Sequence, residues 1–267
     1  MMSTEVLENA RISTKEGIRR DSTRKSPRRL ARIAGILYLL VGISGGFAEG
    51  FVEPKMYVAG DAAATAANVV ANSGLVRIGV VAELFDATVF VFLAMTLYLL
   101  LNHVHNSSAR AMVVLVAISA GITCLNAVFE FAGLRVATDS AYAAALGTRG
   151  SNALVMLLLD TQHNGLLIAQ IFFGLWLAPL GYLAYRSGLF ARSLGIALVV
   201  GAVCYLVDML ALFLVPDFGQ KIAAFIVIPS AIAEIWMVGY LLVIGCQEPE
   251  ASSTKALARL QLWGRWR

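Results

Sequence analysis

Six long apolar stretches, each close to the thickness of a bilayer, constrain this sequence more than any other feature. A helix needs about 20 mostly apolar residues to cross the ~30 Å hydrocarbon core. Charged residues make up only 14% of the chain, against roughly 25% in soluble domains, which excludes an ordinary soluble enzyme. We number the stretches spans 1 to 6 and predict an all-α, polytopic membrane protein that folds as a six-transmembrane-helix bundle. They run from about Leu30 to Phe51, Leu75 to Leu101, Ala111 to Leu134, Gly165 to Tyr185, Ser193 to Val215 and Ile222 to Gly245.

Polar segments outside the spans divide the chain into three parts. Residues 1–29 are predicted to be a basic, disordered cytoplasmic tail, 30–246 the transmembrane domain and 247–267 a second cytoplasmic tail. In this second tail, Leu and Trp are mixed with basic residues, which predicts an amphipathic helix on the inner leaflet. Two short helices are expected on the extracytoplasmic side, at 61–73 with Asp61 as the N-cap and at 152–160 leading into span 4.

The distribution of Lys and Arg predicts the orientation of the bundle. Nine of the 21 basic residues lie in the first 32 positions. With the N-terminus in the cytoplasm, sixteen basic residues fall on the cytoplasmic side and five on the other. Since cytoplasmic loops carry an excess of Lys and Arg, both termini are predicted to be cytoplasmic. Because the basic cluster adjoins an apolar run, its expected partner is the lipid bilayer, through anionic headgroups, and not nucleic acid.

Three stretches carry a resemblance to a known family. They are Gly60 to Thr65 with Leu75 to Gly79, Leu180 to Gly188, and Glu234 to Trp236 with Leu241 to Gly245. Together they resemble a bacterial family of six-span membrane proteins named domain of unknown function 4386, over about Arg32 to Gly245. Ala191 and Ala233 stand where members often carry Pro and Gly. The resemblance implies the topology and a location in the bacterial plasma (inner) membrane, and it assigns no activity and no residue roles.

Seven acidic residues lie within or at the edges of the predicted spans. A charge at membrane depth is costly and usually faces the bundle interior or a water-filled cavity. With a rise of 1.5 Å per helical residue, six of the seven fall in the extracytoplasmic half, and Glu234 lies near mid-membrane. Glu49 and Asp208 are close enough to the surface that plain solvation is expected for them. The seven are Glu49, Glu83, Asp86, Glu130, Asp160, Asp208 and Glu234.

Polar residues recur at helical spacing on spans 3 and 4. One face of span 3 carries a stripe spaced by 4, 3 and 4 residues, and one face of span 4 carries a stripe spaced by 3, 7, 4 and 7. Both stripes are expected to face inward, because lipid would penalise them. Together with the acids they predict an acidic cavity open to the extracytoplasmic side; the alternative is that they join helices as satisfied polar contacts. The stripes are Ser119, Thr123, Asn126 and Glu130, and Asp160, His163, Gln170, Gly174 and Gly181.

Glu234 lies mid-span, five residues after Pro229, which removes a backbone donor and frees a carbonyl. Pro229, Ser230 and the acid together predict a local break in span 6, as at the binding sites of some transporters. The leading hypothesis is therefore a protein that binds or transports a small solute, cation or proton. Its predicted ligand-binding residues are Arg77 as counter-ion with Glu83, Asp86, Glu130, Asp160, His163, Gln170 and Glu234.

Two other functions fit the same sequence. A membrane-embedded enzyme would use the carboxylates and His163, with or without a metal. No metal and no cofactor are predicted, because two-metal bundles need two Glu-x-x-His motifs and only one His lies in the spans. An assembly or accessory protein would use the small-residue face of Gly42, Gly46 and Gly50, which serves close helix packing. Packing within the chain is expected there, and a homo-oligomer is the alternative.

Overall fold

The structure is a computed structural model, and it describes residues 27–245. Within this range the chain is helical, without strands, and six of its helices are long and apolar enough to cross a membrane. The predicted six-helix, all-α membrane fold is confirmed. The two terminal tails, including Cys246 and the predicted amphipathic helix, lie outside the described residues. The spans are Pro27–Met56, Ser73–Leu101, Asn106–Thr138, Ser140–Ser187, Arg192–Leu214 and Pro216–Ile244.

Spans 1 and 6 are the two that depart from a regular α-helix within the membrane. In span 1 the α-helix Pro27–Phe47 continues through a π-helical turn at Ala48–Val52 and a last short turn at Glu53–Met56. Span 6 consists of two α-helices, Pro216–Ile226 and Ile228–Gly239, followed by a π-helical turn at Tyr240–Ile244. The predicted break in span 6 is therefore present, and it falls at Val227, two residues before Pro229.

Both described ends of the chain lie at the same end of the bundle, where a Cβ on Gly245 would come within 4 Å of Arg28. We call this the lower end. The upper end carries the connection between spans 1 and 2, which contains the helix Ala62–Ala71, here called the linking helix. Asp61 caps the linking helix by accepting a hydrogen bond of 2.9 Å from the backbone N–H of Ala64. The short helix predicted from Asp61 is confirmed.

Spans 3 and 4 extend beyond the predicted boundaries at the upper end. Span 4 is continuous through 152–160, as predicted, and its dihedral angles depart from helical values at Gly147, where φ is +70°. The linking helix packs against these extensions through a small apolar core of Met56, Val69, Leu134, Val155 and Leu159. This core holds the upper ends of spans 2, 3 and 4 together above the acidic residues.

Neighbouring spans pack in chain order, except around the gap between spans 1 and 6. The main contacts join span 1 to 2, 2 to 3, 3 to 4, 4 to 5 and 5 to 6. Span 1 meets span 6 mainly near the lower end, where Gly35 packs against Leu241 and Leu242. It makes no extensive contact with span 5 or with Pro216–Ile226. The upper half of span 1 therefore stands apart from the upper half of span 6.

Candidate binding cavity

A group of four polar side chains joins span 1 to span 4 at the upper end. His163 Nδ1 lies 2.7 Å from Glu53 Oε1, and because an ionised carboxylate only accepts, Nδ1 is the donor. The imidazole stacks on the Tyr57 ring, with centroids 5.3 Å apart and planes 15° apart. The Tyr57 hydroxyl donates a 2.6 Å hydrogen bond to Asp160 Oδ1. Burial and this hydrogen bond raise the pKa of Tyr57 to about 12, so it remains a donor at neutral pH.

A second group is buried among spans 2, 3 and 4. The carboxyl groups of Glu83 and Glu130 lie close enough to interact electrostatically, and the Gln162 amide donates to Glu83 Oε1 at 3.4 Å. Glu83 Oε2 and the neighbouring Asn126 Nδ2 are buried without a hydrogen-bond partner among the described residues.

Two further polar pairs connect other helices at intermediate depth. Ser44 on span 1 donates a 2.8 Å hydrogen bond to Asp86 on span 2. Gln170 on span 4 donates a 2.7 Å hydrogen bond to Asp208 Oδ2 on span 5. Asp208 is only 3% exposed, so the expectation that it is solvated at the surface is wrong. It lies inside because the Gln170 amide provides a donor that replaces water.

The deepest group centres on Glu234 in span 6. The hydroxyl of Tyr38 on span 1 donates to Glu234 Oε2 at 2.8 Å, and the hydroxyl of Tyr205 on span 5 donates to Oε1 at 3.0 Å. One carboxyl group therefore links spans 1, 5 and 6, of which spans 1 and 5 make no extensive contact with each other. A carboxylate has about four acceptor positions, so two hydrogen bonds leave it able to contact a third group.

A cavity of about 420 Å³ connects most of these groups. This volume lies within the range of roughly 300–1,000 Å³ that is typical of small-molecule sites. Four carboxyl groups and one imidazole line it, and no Lys or Arg from residues 27–245 does so. The polar lining residues are Glu49, Glu53, Asp86, His163, Gln170, Tyr38, Tyr205 and Glu234.

The cavity reaches far into the membrane-spanning part. It extends along span 1 from Glu53 down to Tyr38, and along span 4 from His163 down to Trp176, which are about 23 Å and 20 Å of helix. Below it, the bundle is filled by apolar side chains that are fully or nearly fully buried, including Leu97, Leu101, Met112, Leu180 and Leu194. The cavity is therefore deep, and it is sealed toward the lower end.

The acidic side chains are most concentrated at the upper part of the cavity. The carboxyl group of Glu49 interacts electrostatically with those of Glu53, Glu83 and Asp86. Glu49 is exposed, and it lies in the π-helical turn of span 1, where the helix widens by one residue. π-helical turns are frequent at functional sites. A mobile cation at this position would lower the mutual repulsion of these acids.

The sequence-predicted residues fall into three classes in the structure. Asp86, His163, Gln170 and Glu234 line the cavity. Glu83, Glu130 and Asp160 do not line it; Glu83 accepts a hydrogen bond from Gln162 and Asp160 accepts one from Tyr57. Arg77 is exposed, lies outside the lining and contacts no acidic side chain among residues 27–245, so the structure supplies no contact for its predicted counter-ion role.

The span 3 stripe faces inward as predicted. Ser119, Thr123, Asn126 and Glu130 are all buried. The Asn126 side chain lies directly against Gly165 of span 4, where a Cβ would collide with it. These residues therefore bring spans 3 and 4 close together, and they do not line the cavity.

The small-residue face of span 1 differs from the prediction. A Cβ on Gly42, Gly46 or Gly50 would meet no atom within 4 Å, so the expected close packing of these glycines within the chain is wrong. Gly42 and Gly46 instead line the cavity. Their lack of side chains leaves the space between the upper halves of spans 1 and 6 open.

No three His, Cys, Asp or Glu side chains in the described part of the chain are arranged to hold a metal ion. The i, i+3 pairs Glu83–Asp86 and Asp160–His163 are separated by their partners. Asp86 binds Ser44, while His163 binds Glu53. Glu83 binds Gln162 on span 4, and Asp160 binds Tyr57 at the upper end of span 1.

The arrangement of the helices agrees with the outcome of a comparison with protein families. The family described as Domain of unknown function (DUF4386) matches residues 33–245, which is most of the chain. The chain belongs to the DUF4386 family. No curated protein and no solved structure gives a significant match. DUF4386 membership assigns no activity and no residue roles.

Sequence reasoning missed three of the residues that complete the cavity. Tyr38 and Tyr205 hold Glu234, and Glu53 holds His163. One signal was available, because Tyr38, Gly42, Glu49 and Glu53 are spaced by 4, 7 and 4 residues and share one face of span 1. The face was not identified because tyrosine counts as apolar in a search for polar stripes.

The Glu83–Glu130 pair yields a stability prediction. Glu130→Gln keeps the shape of the buried side chain beside Glu83, so the free energy of unfolding is expected to change by less than about 1 kcal/mol. Glu130→Ala opens a void, because the Glu130 side chain is only 1% exposed, and a loss of roughly 2–5 kcal/mol is expected. Thermal unfolding of the purified full-length protein in detergent measures both. Equal effects of the two variants would show that the packing of the Glu130 side chain is not what stabilises this region.

Proposed function

We propose that the cavity binds a small cationic solute, and that the protein serves its binding and uptake at the membrane. The observation that carries the proposal is the lining, in which Glu49, Glu53, Asp86 and Glu234 are not accompanied by any Lys or Arg from residues 27–245. Uncompensated acids inside a membrane mark solute or ion pathways. The seal of apolar side chains below Trp176 supports loading from the upper end.

We also propose that the upper end is extracytoplasmic and that both termini are cytoplasmic. The excess of Lys and Arg near the termini supports this orientation, with nine basic residues before position 33. In this orientation the solute reaches the Glu49 region from outside the cytoplasm of a bacterial cell, in its plasma membrane. Cysteine accessibility at Asp61→Cys in intact cells tests the orientation, and labelling only after lysis would contradict it.

The binding proposal is tested with radiolabelled methylammonium on the purified, full-length protein in detergent. Saturable binding is expected, with one site per chain, and with displacement by excess unlabelled methylammonium. Radiolabelled acetate is expected not to bind, since the lining offers it no counter-charge. Binding of acetate, or absence of binding by methylammonium, potassium and quaternary ammonium ions alike, would overturn the proposal.

A second prediction concerns the glycines on the open side of the cavity. Gly46→Leu places a side chain in the cavity and is expected to abolish methylammonium binding, whereas the apparent Tm stays within about 2 °C because no atom lies within 4 Å of the new Cβ. Light scattering on the same sample measures the mass of the particle. A reduced mass with intact binding would favour the assembly role instead, with the glycine face as the interface between copies.

One observation favours a catalytic alternative. A carboxylate that holds a His through Nδ1 is also the arrangement that orients a general base, and Glu53 and His163 have it next to the cavity. The hydrogen bonds of the described residues give His163 no Ser, Thr or Cys partner, so the pair supports proton transfer more than nucleophilic chemistry. The catalytic alternative predicts turnover that His163→Gln abolishes, whereas the binding proposal predicts that neither the unmodified protein nor the variant changes the solute chemically.

A further inference from the structure

Aromatic rings line the lower half of the cavity in one continuous group. Trp176 contacts Tyr38 at a centroid distance of 5.6 Å and meets Phe90 edge-on at 4.9 Å. Phe90 in turn stacks with Phe173 at 5.6 Å. All four rings line the cavity, and Tyr205 joins them from span 5. We call these five residues the aromatic chamber.

The aromatic chamber surrounds a single acid. Glu234 receives hydrogen bonds from the two tyrosines of the chamber, which leaves its remaining acceptor positions available to a ligand. The other three acidic lining residues lie on the upper parts of spans 1 and 2. The chamber is thus mostly apolar, with one fixed acceptor group.

The chemistry of the chamber distinguishes between kinds of cation. A small metal cation needs several oxygen ligands to replace its water shell, and the chamber offers one carboxyl group and two hydroxyls that already donate to it. An alkylated ammonium ion is attracted to the faces of Trp, Tyr and Phe, and quaternary ammonium recognition by such rings is well established as a principle. Its apolar substituents also fit a wall of rings.

We propose that the solute is an organic ammonium ion, of the quaternary or highly alkylated class, bound in the aromatic chamber with its charge toward Glu234. This inference rests on the proposed function, since it specifies which cation the cavity takes. The ammonium ion passes the acidic residues near Glu49, and its charged group comes to lie between Glu234 and the aromatic rings. Alkali metal ions remain near the upper acids, where water and more carboxylates are present.

Calorimetric titration of the full-length protein in detergent with choline, tetramethylammonium, potassium and 3,3-dimethylbutan-1-ol tests this. The alcohol has the shape of choline without its charge. Choline and tetramethylammonium are expected to bind at least about tenfold more tightly than potassium, and the alcohol is expected not to bind. If potassium or methylammonium binds as tightly as choline, the inference is wrong and the proposed function stands. If no cation binds, both are wrong.

Two variants localise the site independently of overall selectivity. Trp176→Leu and Phe173→Leu each remove one ring and are expected to weaken choline binding by about tenfold while changing potassium binding little. Phe173 is only partly buried, so its variant answers the question even if loss of the buried Trp176 prevents folding. Unchanged choline affinity in folded Phe173→Leu would contradict binding in the chamber.

Discussion

Glu234→Gln is expected to abolish high-affinity cation binding and to leave the bundle folded. The amide has nearly the shape of the carboxyl group, so Tyr38 can still donate to its oxygen, and Tyr205 can turn its hydroxyl to accept from its nitrogen. What is lost is the charge that faces the chamber. Removing one partner of a desolvated charge pair costs about 2–5 kcal/mol, so a loss of roughly 30-fold or more in methylammonium or choline affinity is expected.

The matched control is Asp217→Asn. It removes one negative charge from the same span, at an exposed position in the upper helix of span 6 and outside the cavity lining. The affinity of this variant for methylammonium and choline is expected to equal that of the unmodified protein. If Glu234→Gln binds like Asp217→Asn, then Glu234 serves only to join spans 1, 5 and 6, and the binding proposal loses its deepest anchor.

The second large effect is expected at the closest approach of spans 4 and 5. A Cβ on Gly181 would lie 2.7 Å from the carbonyl oxygen of Gly195 and 2.8 Å from the Val199 side chain. Neither the backbone nor the neighbouring turn can move away locally, so Gly181→Leu must separate the two helices. Overpacking costs about 1–3 kcal/mol and occasionally more, which predicts a fall in apparent Tm of roughly 5 °C or more.

Gly239→Leu is the control for this prediction. Gly239 also lies in a span, but a Cβ there would meet no atom within 4 Å, so the apparent Tm is expected to stay unchanged. Thermal unfolding of both variants in one detergent gives the comparison. A Gly181→Leu protein as stable as Gly239→Leu would mean that spans 4 and 5 are not in close contact in the protein.

The sequence predicts the spans well because the bilayer thickness requires about 20 consecutive, mostly apolar residues per span, and such stretches can be recognised from composition alone. Each observed span contains its predicted stretch, apart from the last predicted residue of spans 5 and 6, Val215 and Gly245. Span 3 begins at Asn106 instead of Ala111, because His105 caps it through a hydrogen bond to the Ser108 N–H. Such caps extend helices into polar sequence that hydropathy cannot assign.

Which acids share a cavity depends on helix packing, and the sequence predicts it only in part. Depth along each span correctly groups the acids in one half of the bundle, since depth follows from residue number alone. The rotation of each helix decides the rest. On span 2, helix rotation turns Asp86 toward the cavity. It turns Glu83, three residues earlier on the same span, away from the cavity and toward Glu130 of span 3. Asp208 was misplaced because its partner Gln170 belongs to another span, 38 positions earlier.

Under the proposed binding function, the separation between span 1 and the upper helix of span 6 leaves one side of the cavity open toward the lipid. Acyl chains of the bilayer would then complete the enclosure, and Phe225, which is 73% exposed on span 6, is available to them. The length and saturation of the acyl chains would then affect how tightly the cavity encloses the bound solute. Affinity is therefore expected to vary with the host membrane, and a guest with a hydrocarbon tail can leave that tail among the lipids while its charged head stays within the protein.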